Sequence, residues 1–112
     1  DRGADLSGIF PFGMGNIRVR TKTVYVEKGS KTVQRCVFVN VSDKPLKLEC
    51  EKAMLPACLS VRVEPEIVES GAEGDIVISY DPAKGGSRDR MPVMFKGLGV
   101  PPTQSAITVM AR

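Results

Sequence analysis

Apolar and polar residues alternate along several short stretches of this chain, and that alternation predicts half-buried β-strands. The clearest example places Leu46, Leu48 and Cys50 on one face of a strand, between charged neighbours. Comparable stretches lie at 32–41, 59–63, 76–80, 91–95 and 106–110. Turns that carry Gly, Pro, Asp or Ser separate them, so each strand is expected to be short.

One stretch, Ile17–Val26, changes character along its length. Three basic residues share the parity of two later valines, so the same face turns from polar to apolar. These residues are Arg18, Arg20, Lys22, Val24 and Val26. Such a change predicts either a bulge or a strand that crosses from one sheet to the other.

Seven such strands, or eight with a short one near Ile67, have the spacing of a β-sandwich. No long helical pattern lies between them, which excludes the parallel α/β class. We expect a sandwich domain at 17–112, preceded by a partly flexible leader at 1–16 whose apolar residues could cover a sheet edge. The side chains expected to face inward are those of Val24, Val26, Cys36, Phe38, Leu46, Leu48, Val61, Val63, Ile76, Ile78, Tyr80, Val93, Phe95 and Val109.

Composition narrows the classes of function. The 112 residues carry 16 Lys+Arg against 13 Asp+Glu, a net charge of +3 that is too small and too interspersed for an electrostatic nucleic-acid binder. Histidine is absent, which excludes Ser–His and Cys–His nucleophiles and most zinc sites. No apolar run approaches the length of about 20 residues that a membrane span needs. We therefore expect no enzyme activity, no cofactor and no metal.

The order of motifs from Val24 to Phe95 resembles a known family. The motifs are the glycine turn at 27–30, the stretches 36–40 and 43–46, Glu64–Pro65, the turn at 70–74 and the stretch 76–82. They resemble an uncharacterised family of immunoglobulin-like modules in bacterial envelope proteins, which is similar to the major-sperm-protein and ASPM–SPD-2–hydin sandwiches. Many members carry a close cysteine pair, whereas Cys50 and Cys58 lie further apart, so that site is not carried over.

The resemblance implies an immunoglobulin-like antiparallel β-sandwich of seven to eight strands, in a periplasmic, cell-surface or secreted protein. It implies a non-catalytic spacer or protein-interaction domain, whose partner is another protein or a neighbouring domain of a longer chain. The isolated domain is then expected to be a monomer. The alternative is a small ligand- or polysaccharide-binding accessory domain of an enzyme.

The three cysteines allow two interpretations, and their odd number leaves at least one unpaired within the chain. Cys36 and Cys50 lie on faces predicted to be inward, where a thiol behaves as a small hydrophobe. An oxidising compartment would instead permit a disulfide, either Cys50–Cys58 or Cys36–Cys50.

The strip formed by Arg18, Arg20 and Lys22 is the candidate partner-binding surface. Charges on an edge strand discourage indiscriminate pairing, which is the simpler interpretation. The functional interpretation is an edge that admits an acidic extended segment, with the basic loop Lys84–Arg90 as a second candidate.

Five residues are expected to serve turns and no chemistry: Asn40, Pro45, Gly71, Asp81 and Pro82. The Asn and Asp side chains should bond backbone groups two residues further on.

Overall fold

The computed structural model describes residues 9–112, apart from the side chain of Pro102, and these residues form nine strands in two sheets. The strands are β1 (Phe12–Met14), β2 (Ile17–Val19), β3 (Thr23–Val26), β4 (Thr32–Asn40), β5 (Glu49–Cys50), β6 (Leu59–Glu64), β7 (Glu73–Tyr80), β8 (Arg90–Lys96) and β9 (Ala106–Ala111). Three 3-10 turns, at Lys52–Met54, Pro82–Lys84 and Pro102–Gln104, lie in the connections.

The first sheet has the order β1-β2-β4-β7-β6 and the second has the order β3-β9-β8-β5. Their apolar faces pack against each other, because alternate residues of each strand point to the same side. The predicted all-β sandwich is therefore confirmed. The inward set predicted from the sequence is buried in the core, except that Val63 is only partly buried.

The stretch Ile17–Val26 does cross between the sheets. Its first part forms β2 and pairs with β4, whereas its second part forms β3 and pairs with β9. Residues 20–22 make the crossing, where Arg20 N still donates to Val37 O (3.1 Å) in the first sheet. Lys22 O already accepts from Thr108 N (2.8 Å) in the second. The change of facial character in the sequence thus marks the crossing point.

Two details of the predicted fold are wrong. The sandwich is not wholly antiparallel, because β3 and β9 run parallel, with Thr23 opposite Thr108. The direction of a strand after a crossing depends on the path of the chain, which local alternation does not record. Residues 9–112 also form nine strands, because Ile17–Val26 is divided into two and the predicted leader contributes β1. The stretch 46–50 forms ladder pairs only at β5, while Leu46 makes an isolated bridge to Val68.

Part of the predicted leader belongs to the first sheet. Residues 1–8 lie outside the described residues, but β1 pairs with β2, and both Phe10 and Met14 are buried. The turn between these strands requires glycine at position 15, where φ is +64° and a Cβ would collide with the carbonyl oxygen of Leu98. The next residue, Asn16, donates its N–H to the same oxygen (2.9 Å) and so fixes the hairpin to the 97–100 loop.

Candidate interaction surface

The basic strip does not lie at an open sheet edge. Because β1 covers β2, the strand that carries Arg18 has a neighbour on both sides. The Arg18 guanidinium donates from Nε to Phe10 O (2.7 Å) and from its terminal nitrogen to Pro11 O (3.0 Å). Its charge therefore stabilises the segment ahead of β1, and the predicted open edge at this strand is wrong.

The other two residues of the strip have different surroundings. The guanidinium of Arg20 lies over the Phe10 ring, 5.7 Å from the ring centroid. Lys22 is half-buried in the crossing between the sheets. Arg18 and Arg20 thus both contact Phe10, whereas Lys22 lies beyond the end of β2.

The edge at β3 is closed by side chains. The hydroxyl of Thr21 accepts from Thr23 N (3.2 Å) and donates to Thr23 O (2.9 Å). Gln34 Nε2 donates to Tyr25 O (2.6 Å), and the guanidinium of Arg112 stacks on the Tyr25 ring at 3.9 Å. These groups occupy backbone positions that an added strand would need.

The edge at β6 is open among the described residues. Asp81 N donates to Cys58 O (2.8 Å), so these two residues form a hydrogen-bonded pair next to the β6–β7 ladder. This pair shows which of the following residues of β6 bond to β7. In an antiparallel ladder, hydrogen-bonded and non-hydrogen-bonded pairs alternate, so Ser60, Arg62 and Glu64 bond to β7. Val61 and Val63 therefore direct their N–H and C=O groups away from β7, where no residue of 9–112 bonds to them.

The edge at β5 faces the same side of the sandwich. Glu51 N donates to Met94 O (2.8 Å), and Glu49 lies opposite Lys96 in the same ladder. The same alternation leaves the backbone groups of Cys50 pointing away from β8. Each of the two sheets thus ends in an open edge on this side of the molecule.

A groove of about 460 Å³ lies between these two edges, and we call it the edge groove. Its floor is apolar, with Leu48 and Cys50 on one side and Val61 and Val63 on the other. Ala53 also lines it. Its volume falls within the range of about 300–1,000 Å³ that is common for binding sites.

The rim of the edge groove is charged, but most of its charges are paired. Lys47 and Glu66 lie 3.4 Å apart, and Lys96 and Glu51 lie 3.9 Å apart. Arg62 Nε lies 2.9 Å from Glu64, and this contact holds the pKa of the Glu64 carboxyl below its usual value. Exposed pairs of this kind add little stability. Because these ion pairs join opposite charges, the groove has no strong electrostatic potential of either sign.

Two large apolar side chains are exposed beside the groove. Met54 is 60% exposed and Ile67 is 54% exposed, and each follows a residue that lines the groove.

The cysteines are buried thiols, and the candidate Cys50–Cys58 disulfide does not form. Cys50 lies on β5 in the second sheet, whereas Cys58 precedes β6 in the first, with its sulfur 3.7 Å from that of Met91. Cys36 donates its S–H to Thr21 O (3.3 Å). Burial raises the pKa of all three thiols, so they are poor nucleophiles near neutral pH.

Four of the five predicted turn residues lie in connections between strands, and the fifth, Asn40, is the last residue of β4. Ser42 N donates to Asn40 Oδ1 (2.9 Å), and Ala83 N donates to Asp81 Oδ1 (3.1 Å). Pro82 begins a 3-10 turn, and Gly71 has a φ of +78°. Pro45 is exposed in the turn that follows β4.

The described residues contain neither a cluster for a metal nor a membrane helix. Between residues 9 and 112, no three Cys, Asp or Glu side chains come together in a way that would hold an ion. In the same range, no helix has both the length and the apolar character to cross a bilayer.

Comparisons with known proteins give a fold and no family. No family model matches the chain, and no curated protein matches it. A protein of unknown function from Porphyromonas gingivalis W83 is 14% identical with a TM-score of 0.54, over 87% of this chain and 45% of that one. The E. coli chaperone DraB is 17% identical with a TM-score of 0.57, over 86% of this chain and 54% of that one.

The chain therefore spans about half the length of each of these two proteins. At such identities the likeness shows the fold alone. The resemblance to envelope modules stays a prediction.

Sequence reasoning missed the edge groove. The alternation at 59–63 correctly indicates Val61 and Val63 as inward residues. It cannot indicate that β6 ends its sheet, because strand order depends on long-range pairing. The sequence shows Met54 and Ile67 only as apolar residues outside the alternating stretches, and their exposure is visible only in the structure.

Proposed function

We propose that this domain is a non-catalytic module of a cell-envelope or secreted bacterial protein, and that it binds another protein or a neighbouring domain through the edge groove. The observation that carries the proposal is the unequal protection of the four sheet edges. β1 ends the first sheet as a strand of only three residues, and side chains close β3, whereas the six residues of β6 lie open beside β5 on one groove.

Unequal protection supports an interaction role because an open edge is a liability that proteins normally cover. At β3 the chain uses a threonine and a glutamine for that purpose, and at β1 it keeps the edge strand to three residues. At β6 it leaves backbone groups above an apolar floor. An edge kept open beside exposed Met54 and Ile67 is consistent with a surface that a partner covers.

The groove lining favours a protein over a polysaccharide. None of the described residues that line it is aromatic. Sites for small ligands are usually lined by hydrophobic and aromatic side chains with a few convergent polar groups. The polar groups here are flexible charged side chains, most of which already have partners.

Two matched variants test the proposal. Ala53 and Ala83 are both exposed alanines in the middle of a 3-10 turn, but only Ala53 lines the edge groove. Ala53→Trp should fill the mouth of the groove, while Ala83→Trp places the same bulk elsewhere on the surface.

Each variant is used as bait for an extract and envelope fraction of the source organism, and captured proteins are compared by quantitative mass spectrometry. We expect Ala53→Trp to reduce capture of the specific partner by about tenfold or more, as for a blocked interface centre. Ala83→Trp should capture as much as the unmodified domain. Equal capture by the two variants, or no specific capture by the unmodified domain, would contradict the proposal.

A further inference from the structure

Resting on the function proposed above, we infer that the occupant of the edge groove is an extended peptide segment. It adds as a strand to β6, and it places apolar side chains at every second position into the groove. The inference goes beyond a protein partner in general, because it names the conformation, the strand that is extended and the sequence pattern of the segment.

The backbone of β6 provides the first argument. Val61 and Val63 present two N–H and two C=O groups on the open side of the strand, spaced as one side of a ladder. Only another extended backbone offers donors and acceptors at that repeat. β5 has two residues against six in β6, so β6 is the strand that a segment would extend.

The floor of the groove provides the second argument. A strand beside β6 alternates its side chains between the sandwich interior and solvent. Those on the interior side would meet Leu48 and Cys50 across the groove, while those on the other side would lie beside Arg62 and Glu64. The segment should therefore be apolar at alternate positions and polar between them.

Charge and exposure provide the third argument. The rim pairs Lys47–Glu66, Lys96–Glu51 and Arg62–Glu64 leave little net charge for an acidic or basic segment to recognise. Val63, by contrast, is only partly buried, although the alternation along β6 directs its side chain toward the core. An added strand would complete the burial of Val63. The segment that matches this site therefore has an uncharged, apolar face.

The first test selects binders from a phage-displayed library of random peptides of about ten residues, a length that spans a typical strand. The whole chain is the target. We expect the enriched sequences to be apolar at alternate positions and to compete with one another for one site. Enrichment of sequences without alternation, or no enrichment, would overturn the inference.

The second test removes a single donor. Val63→Pro deletes an N–H that points away from β7, so the β6–β7 ladder keeps its bonds, and edge strands accept proline at such positions. Val63→Ala is the control, because it shortens the side chain and keeps the N–H. We expect the affinity for the selected peptides to be about tenfold lower for Val63→Pro than for Val63→Ala. Equal affinities would overturn strand addition.

A third test uses the unmodified domain, so it does not depend on whether Val63→Pro folds. Each selected peptide is synthesised with N-methyl groups on one parity of its amides and then on the other. Only the parity that bonds to β6 should weaken binding. If both parities bind equally, yet Ala53→Trp still abolishes binding, the groove is an interaction site but not for an added strand. If a second copy of the chain occupies the groove, sedimentation will show a dimer, and the inference is again wrong.

Discussion

At the scale of single residues, Asn40 shows how one amide can hold two connections together. The side chain is fully buried, and Nδ2 donates to Lys44 O (2.8 Å) and to Val68 O (3.0 Å). Its Oδ1 accepts from both the N–H and the hydroxyl of Ser42. Because every polar atom of the amide is used, no other side chain can make the same bonds.

Asn40→Asp should therefore be strongly destabilising. It keeps the shape of the side chain but places a carboxylate oxygen against two carbonyl oxygens in a buried site. We expect the free energy of unfolding in urea to fall by about 3 kcal/mol or more. The reverse exchange, Asp81→Asn, keeps the acceptor for Ala83 N at an exposed turn. It should change the free energy of unfolding by less than about 0.5 kcal/mol. A loss below about 1 kcal/mol at Asn40 would contradict this account.

The sequence predicts only half of what Asn40 does. Its bond to Ser42 N is local, so a turn after β4 already indicates it. Its bond to Val68 joins residues 28 positions apart, and nothing in the sequence near either residue indicates that contact. Turn chemistry is thus predictable where both partners are neighbours in the chain, and not where the fold brings them together.

At the scale of elements, the short strand β1 depends on Arg18. It has three residues, and a strand of that length adds little stability by itself. The guanidinium of Arg18 holds the carbonyls of Phe10 and Pro11 just ahead of β1. Hydrogen bonds from a charged donor are stronger than those between neutral groups.

Replacing two residues of the basic strip, one at a time, distinguishes the role of Arg18 in holding β1 from an effect of its charge alone. Arg18→Met should raise the amide hydrogen-exchange rate in β1 by about tenfold, since it removes two charged donors. Lys22→Met removes the same charge from the same strip and should leave exchange in β1 unchanged. If a partner recognises the strip by charge, both variants will weaken its capture to the same extent, and the role assigned to Arg18 is then incomplete.

Element type is easier to predict here than element position. The alternation at 59–63 and at 76–80 predicts both the strand and its inward face, because both properties depend on side chains that are neighbours in the sequence. Which strand ends a sheet depends on the strand order, and the order β1-β2-β4-β7-β6 joins strands that are far apart in the sequence. For that reason the basic strip was predicted at an edge, while the open edge at β6 was not predicted.

At the scale of the whole molecule, the core keeps three thiols away from solvent in both sheets. Cys36 lies on β4, Cys50 on β5 and Cys58 ahead of β6. Burial disfavours the thiolate, and it raises each pKa above the ordinary value of 9.0. The unfolded chain, whose thiols are solvated, loses those protons at lower pH than the folded protein does.

Stability should consequently fall as the solution becomes alkaline. The thiol contribution is fully present below the ordinary thiol pKa, and it is lost as the pH rises from there toward the raised pKa of the folded state. We expect the unfolding free energy, measured with a reductant between about pH 7 and pH 10, to decline by up to about 1.4 kcal/mol per pH unit for each thiol. A variant with all three cysteines replaced by alanine should be less stable at neutral pH but decline less steeply. Parallel curves for the two proteins would contradict the prediction.

The sandwich class of the molecule could be predicted from the sequence, but the parallel pairing of β3 with β9 could not. Short alternating strands, with turns between them and no helical pattern, indicate a sandwich. The parallel pairing of β3 with β9 comes from the crossing at residues 20–22, whose direction depends on where β2 is held. Only the assembled sheets determine it.

That parallel pair also determines how the domain responds to tension. A pull on the backbone ahead of Thr23 and an opposing pull beyond Ala111 draw β3 and β9 past each other along their common axis. The bonds from Thr108 N to Lys22 O and from Arg112 N to Val26 O are then loaded in shear and resist together. An antiparallel hairpin pulled at its open end would release its bonds one after another. A spacer that joins other parts of an envelope protein would gain mechanical resistance from this geometry.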